Sequence, residues 1–188
     1  MQIHFAITDC PLGRILVGAT QFGISAVYFG KTDRALQAEL RREYPRAELL
    51  AARPGRGSAG ELRKWVEQIV RHLRGHLTSF DLPADVRATA FQRRVWEELR
   101  RIPYGSTRTY AQIAQSIGRP SAVRAVARAC ATNPVAVVVP CHRVVRRDGS
   151  LAGYRWGVAR KRALLNRESK AVARASAGVK TRSLRKNR

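Results

Sequence analysis

The hydrophobic pattern changes period partway along the chain, and that change constrains the fold more than any other feature. Over the first thirty residues, IHFAIT, RILVGA and ISAVYFG alternate apolar and polar side chains, the period-two signature of strands with one buried face. Pro11-Leu12-Gly13 and Gln21-Phe22-Gly23 supply turns between them, so the expected unit is a small antiparallel meander. From residue 33 the spacing becomes helical, with Leu36, Leu40 and Tyr44 on one face and Pro45 as a stop. AARPGRGSAG at 51–60 reads as a linker. Ser58 and Glu61 then make an S-x-x-E capping box opening a helix with Leu62, Trp65, Val66, Ile69 and Leu73 on its apolar face, closed by Gly75. Strands followed by helices, rather than alternating with them, predict an α+β fold.

Beyond residue 89 the helix signals become dense. Thr89 and Gln92 have capping-box spacing, Phe91, Val95, Trp96 and Leu99 form a stripe, and Pro103 ends the run. Thr109 and Gln112 repeat the box ahead of Ala111, Ile113, Ala114 and Ile117, with Gly118 as the turn. A second helix starts near Pro120 and runs to about Thr132, before Asn133-Pro134. Two short helices joined at a glycine are the helix-turn-helix pattern, although a helical hairpin that only packs has the same outline. Arg124, Ala125 and Arg128 favour the first reading, because cations among small side chains let a helix approach DNA closely. A last helix is expected over VARKRALLNRE. The final twenty residues carry seven basic and no acidic side chains and are expected to form a disordered arm. The expected organisation is therefore an N-terminal α/β subdomain at 1–85, a helical DNA-binding subdomain with its active-site strand or loop at 86–168, and a basic tail at 169–188.

Charge follows the same division. The net formal charge is +23; residues 1–85 carry 12 Lys/Arg against 9 Asp/Glu, and residues 86–188 carry 24 against 4. An excess confined to one half points to a polyanionic partner, with nucleic acid the leading candidate; charge alone does not separate it from an anionic membrane surface. No apolar run approaches the roughly 20 residues of a membrane span, and the N-terminus lacks a signal-peptide layout. Cys10, Cys130 and Cys141 are too few and too scattered for a disulfide framework or zinc cluster, which fits a reducing cytoplasm. His72 and His76, with His4 and Cys10, are a weak metal set, since Gly75 interrupts the helix between the two histidines. No nucleotide-binding or flavin motif is present, so no cofactor is expected.

One segment resists a purely structural reading. In VVVPCHRVV at 137–145, Cys141, His142 and Arg143 interrupt a greasy run. Free cysteine is often simply a small buried hydrophobe. The alternative is a nucleophile: a thiol titrates near pH ~8.5, and a neighbouring base with local positive charge from Arg143 would raise its thiolate fraction.

FQRRVW, IPYGSTRTYAQIA, PSAVRAVARACATNP, PCHRVV and GYRWG together make the chain resemble the O6-alkylguanine-DNA alkyltransferases, of the type found as the C-terminal part of bacterial Ada proteins, over residues 3–168. The regulatory and zinc-binding modules that precede this domain in Ada proteins are not expected here. The resemblance implies that Cys141 accepts the alkyl group from guanine O6, or from thymine O4, in a single self-inactivating turnover. It implies His142 as base through a bound water, oriented by Glu168, with Asn133 bracing the cysteine segment. Tyr110 would hydrogen-bond the flipped guanine, Arg124 would enter double-stranded DNA from the minor groove, and Tyr154 and the Arg155 backbone would cover the base. Trp156, on the same loop, is expected at the pocket entrance. A monomer is expected, needing no cofactor or metal. A DNA-binding lesion sensor and a cysteine hydrolase using Glu168 are the competing readings.

Overall fold

The computed structural model describes residues 1–52 and 58–185, and side chains at all of these except 58–59 and 175–185. The linker core at 53–57 and the Ser58 cap lie outside the described residues or side chains. Strands β1 (Gln2–Cys10), β2 (Gly13–Thr20) and β3 (Gly23–Gly30) form the antiparallel meander. Helix α1 (Asp33–Glu43) follows, started by Thr32, whose hydroxyl accepts from Ala35 N, and buries Leu36 and Leu40 against the sheet. A fourth strand, β4 (Glu48–Ala51), adds parallel to β1, giving the order β3-β2-β1-β4. Its four residues carry no alternation, so the sequence pattern did not reveal it. Helix α2 (Ser58–Leu73) lies on β1 and β2 with Leu62, Ile69 and Leu73 buried.

The second half contains α3 (Ala90–Arg100), β5 (Arg108–Thr109), α4 (Tyr110–Ser116), α5 (Val123–Ala131), β6 (Val144–Val145) and α6 (Val158–Arg185). Both expected capping boxes are formed, Thr89 with Gln92 and Thr109 with Gln112. The tail expectation is corrected: α6 continues through 169–185 instead of giving way to an arm. Alanine, lysine and arginine, which dominate that stretch, are strong helix formers even where no apolar stripe marks them.

The exposed edge of β3 joins the halves. Ile24 N donates to Pro83 O (2.8 Å), and Val27 N donates to Pro134 O (2.8 Å), with Ala136 N returning a bond to Val27 O. Gly23 permits the first of these approaches, since a Cβ there would stand 2.6 Å from Pro83 O. A strand edge otherwise open to pairing is thereby covered, and the segment leading to Cys141 is fixed to a sheet.

Candidate functional site

The approach to Cys141 is a succession of tight turns, so of the strand or loop expected there it is the loop. Asn133 Oδ1 accepts from Val135 N (3.0 Å), closing a local turn after α5. Val138 N then bonds to Ala136 O (2.8 Å) around Val137, whose φ is +72°. A positive φ at a β-branched residue is strained, and an i to i+2 turn of this hand is rare. Next, Cys141 N bonds to Val139 O (2.8 Å) around Pro140, at φ −79° and ψ 59°. Cys141–Arg143 form one turn of 3-10 helix, and strand geometry resumes only at β6, which pairs with β5. Turns aim the thiol, His142 and Arg143 in different directions, which alternating strand geometry forbids for neighbours two apart.

Cys141 is buried and free. Asn133 Nδ2 donates to its sulfur at 3.2 Å and to Val139 O at 2.8 Å. Burial pushes the thiol up from its ordinary value, and the Asn133 hydrogen bond and then the Lys161 ammonium pull it back. Arg143, expected to supply that positive charge, is committed elsewhere. Its guanidinium grips Glu168 (Nε to Oε2 2.9 Å, Nη2 to Oε1 3.0 Å), donates to Ile102 O (2.7 Å) and lies over the Tyr104 ring.

Glu168 is the hub of the buried polar cluster. It also bonds His142 Nε2 at 2.7 Å and accepts from Gly105 N at 2.9 Å. Gly105 sits at φ +78°, and a Cβ there would stand 2.5 Å from Val172. Burial alone would raise the Glu168 carboxyl, but His142 and Arg143 more than offset it and hold it at about 2. Burial keeps His142 below its ordinary value, against the pull of Glu168, so the imidazole is neutral at pH 7. An ionised carboxylate only accepts, so Nε2 carries the ring proton and Nδ1 presents a bare lone pair. That Nδ1 is buried and has no protein partner.

Lys161 completes the site, and sequence reasoning missed it. It is fully buried, donates to Val144 O at 2.6 Å and lies 5.8 Å from the centre of the Tyr110 ring. Burial lowers its pKa, while the Cys141 and Cys130 thiols oppose that shift. The available signal was a lysine sharing the α6 core face with Leu164 and Glu168.

Tyr110, first residue of α4, is buried and pushed up to about 12, chiefly by burial, so its phenol remains a donor. The Tyr154 hydroxyl is buried without a partner, and burial, reinforced by the nearby Cys141, holds its pKa well above the usual range. Buried polar atoms are almost always hydrogen-bonded. Among the described residues four are not: Ser25 Oγ, Tyr28 Oη, His142 Nδ1 and Tyr154 Oη. His142 adjoins Cys141 in the chain and Tyr154 lies near enough to feel its charge, so these two mark the surroundings of the thiol as built for something polar. The Arg155 side chain leaves this place and pairs with Glu39 (2.9 Å) and Glu43 (2.6 Å) on α1. Trp156 packs on Tyr28 of β3, with ring centroids 5.0 Å apart, beneath the Arg155 guanidinium. The expectation that Trp156 narrows the entrance therefore gives way: its indole is part of the core.

On α5, Val126, Ala129 and Cys130 face inward and Arg124, Ala125 and Arg128 outward. The helix is anchored from behind by Trp96 Nε1 donating to Ala129 O (2.9 Å). Burial raises the Cys130 thiol well above its ordinary range. His72 is buried, with Nδ1 2.7 Å from Leu77 O, and does not share a site with His76. Among the described residues no three His, Cys, Asp or Glu converge as a metal-holding group, and no helix is long and apolar enough to cross a membrane.

Two family models match the chain: "6-O-methylguanine DNA methyltransferase, ribonuclease-like domain" over residues 3–86, and "6-O-methylguanine DNA methyltransferase, DNA binding domain" over 90–170. The chain is 45% identical over 171 residues to the bifunctional transcriptional activator/DNA repair enzyme Ada of Escherichia coli, covering 90% of this chain and 46% of that one. It thus spans about half the length of the Ada relatives. It is 36% identical to a methylated-DNA–protein-cysteine methyltransferase of Methanosarcina acetivorans, covering 88% of this chain and 98% of the relative. Among solved structures, Mycobacterium tuberculosis OGT in complex with DNA superposes with a TM-score of 0.74 at 35% identity, over 89% of this chain and 94% of that one.

Proposed function

Since the chain belongs to the O6-methylguanine-DNA methyltransferase family, we propose that it repairs DNA by transferring an alkyl group from guanine O6 to its own Cys141. The observation that carries this reading is the unpartnered Nδ1 of His142, its tautomer fixed by Glu168, beside a buried thiol already held by Asn133. A water bridging Nδ1 and the thiol passes the thiol proton to the imidazole. The thiolate attacks the alkyl carbon, a C–S bond forms and the C–O bond to guanine breaks. The departing base takes one proton from Tyr110, whose phenol is restored from solvent as His142 gives its proton up to solvent, so one proton in all passes from thiol to base. Lys161 stabilises the anionic sulfur at the start.

The target base lies inside a duplex, so it must be extruded, at roughly a few kcal/mol. Arg124 and Ala125, exposed on α5, serve as the wedge from the minor groove, and Arg128 pairs with phosphate, with α4 and α5 acting as a helix-turn-helix. The flipped base then meets Tyr110 and the orphan Tyr154 hydroxyl, with the Arg155 backbone above it. The product is a thioether, so each molecule acts once, as a monomer in the cytoplasm. Alkylated thymine O4 is a second substrate of the same chemistry.

Intact-mass measurement after incubation with methylated DNA tests this. One methyl group on Cys141, and none in Cys141→Ala, is the expected result. No mass change with DNA still bound indicates a sensor, and released product with turnover indicates a hydrolase; either overturns the proposal.

A further inference from the structure

Helix α6 has two working faces. Lys161, Leu164, Glu168 and Val172 recur at three and four residues and point toward Cys141, His142 and Gly105. At about 100° per residue, Asn166, Arg167, Lys170 and Arg174 project from the opposite side. There they line a cleft of about 580 Å³ whose other wall is Arg74 and His76, at the end of α2. No carboxylate lines it, and none of its four permanent cations is in an ion pair among the described residues. Unpaired arginines occur elsewhere too, on α5 for example; what sets this place apart is that four cations line one cleft.

We propose that this cleft binds the phosphate backbone of a second DNA segment, distinct from the one that α5 grips. Like charges gathered in a concave site repel one another, and a polyanion relieves that repulsion. The three basic residues of α6 span about 10 Å, which is about three phosphates along one duplex strand. Position argues for a separate segment. The duplex delivering a base to Cys141 must lie on the outer face of α5, whose inner side packs on α3 and α4. The cleft is bounded by α2 and the opposite side of α6. Holding two segments would let the protein pass between DNA strands without full release, useful to a molecule that reacts once and must first find a rare lesion.

This rests on the DNA-repair reading, so the test separates the two. The triple variant Arg74→Glu/Lys170→Glu/Arg174→Glu is compared with wild type in three assays. Methyl transfer from free O6-methylguanine should be unchanged, reporting an intact fold. Capture of a labelled duplex by protein already bound to an immobilised duplex should be lost. The log–log salt slope should fall by about 2 to 3 on long DNA, at roughly 0.9 per phosphate contact, yet hold on a duplex just covering the α5 footprint. Should charge reversal prevent folding, the triple Gln variant is expected to move the same way by less. Unchanged capture overturns the proposal, as does an equal slope loss on short and long DNA, which would place the cleft on the α5 duplex. Loss of binding to phosphatidylserine vesicles with DNA capture intact also overturns it, in favour of a membrane surface. Wild-type protein that neither binds DNA nor accepts a methyl group overturns the repair reading itself.

Discussion

A single amide, that of Asn133, holds the sulfur of Cys141 at 3.2 Å and the Val139 carbonyl that closes the preceding turn at 2.8 Å. The side chain therefore sets both where the thiol sits and how readily it ionises. Asn133→Ala leaves the buried Val135 N–H without its acceptor, at a cost of about 1–3 kcal/mol, and removes the hydrogen bond that lowers the thiol pKa. Thermal melting should show the loss of stability. The pH profile of methyl transfer should move to higher pH, with a slower rate at neutrality; a profile that does not move would leave Asn133 a purely structural brace.

Lys161 makes a contrasting case, because its charge is expensive to bury yet useful to the sulfur. Lys161→Met removes one hydrogen bond to Val144 O and also removes a buried cation, so stability should change little. The thiolate loses its ammonium, and the pH profile of Cys141 alkylation by free O6-methylguanine should move to higher pH. Rate against pH and melting temperature, measured on the same protein, separate the two roles. A large fall in melting temperature with no displaced profile would count against electrostatic activation.

Arg124→Ala should slow repair of duplex DNA by at least tenfold and leave transfer from the free base within about twofold. Its side chain is exposed on α5 and makes no hydrogen bond or ion pair within the described protein. The second-order rate of Cys141 methylation with each substrate is the measurement. Equal slowing on both would place Arg124 in the chemical site.

His72 makes stability depend on pH. Burial lowers its pKa from 6.5 to about 4, against the hydrogen bond to Leu77 O. The folded state thus resists a proton that the unfolded chain accepts, so the stability it contributes is complete above pH ~6.5 and is lost as pH falls toward 4. His72→Asn, which keeps a donor near Nδ1 without a titrating ring, should flatten the fall in melting temperature over that interval. The full effect of that lowering is on the order of 3 kcal/mol. An equally steep fall in the variant would assign the acid sensitivity to His142.

Local signals are legible in this sequence. The meander, the Thr89 and Thr109 capping boxes and the Gly118 turn each depend on residues within a few positions, and the structure contains all of them. His142 and Glu168 were placed together by family resemblance rather than by spacing, and they meet at 2.7 Å. What escaped reading was non-local. The β4 strand is defined by its partner β1. Proximity in the chain places Arg143 beside the thiol, two residues away, whereas the 3-10 turn sends it to Glu168. Trp156 followed the loop assignment until Tyr28, 128 residues earlier by number, claimed its ring. Continuation of α6 through the basic stretch rests on backbone propensity, a signal that an absent apolar stripe conceals.

The clasp between His142 and Glu168 also bears on the order in which the protein is made. Glu168 lies 26 residues after its imidazole partner, and Lys161 also follows Cys141 in the chain. Synthesis runs from the N-terminus, so the thiol emerges before the ammonium that stabilises its anion and the carboxylate that fixes the tautomer of its base. Until α6 docks, the nascent chain carries a dormant sulfhydryl. On the mechanism proposed above, a molecule with one reaction to give becomes reactive only once α6 is in place.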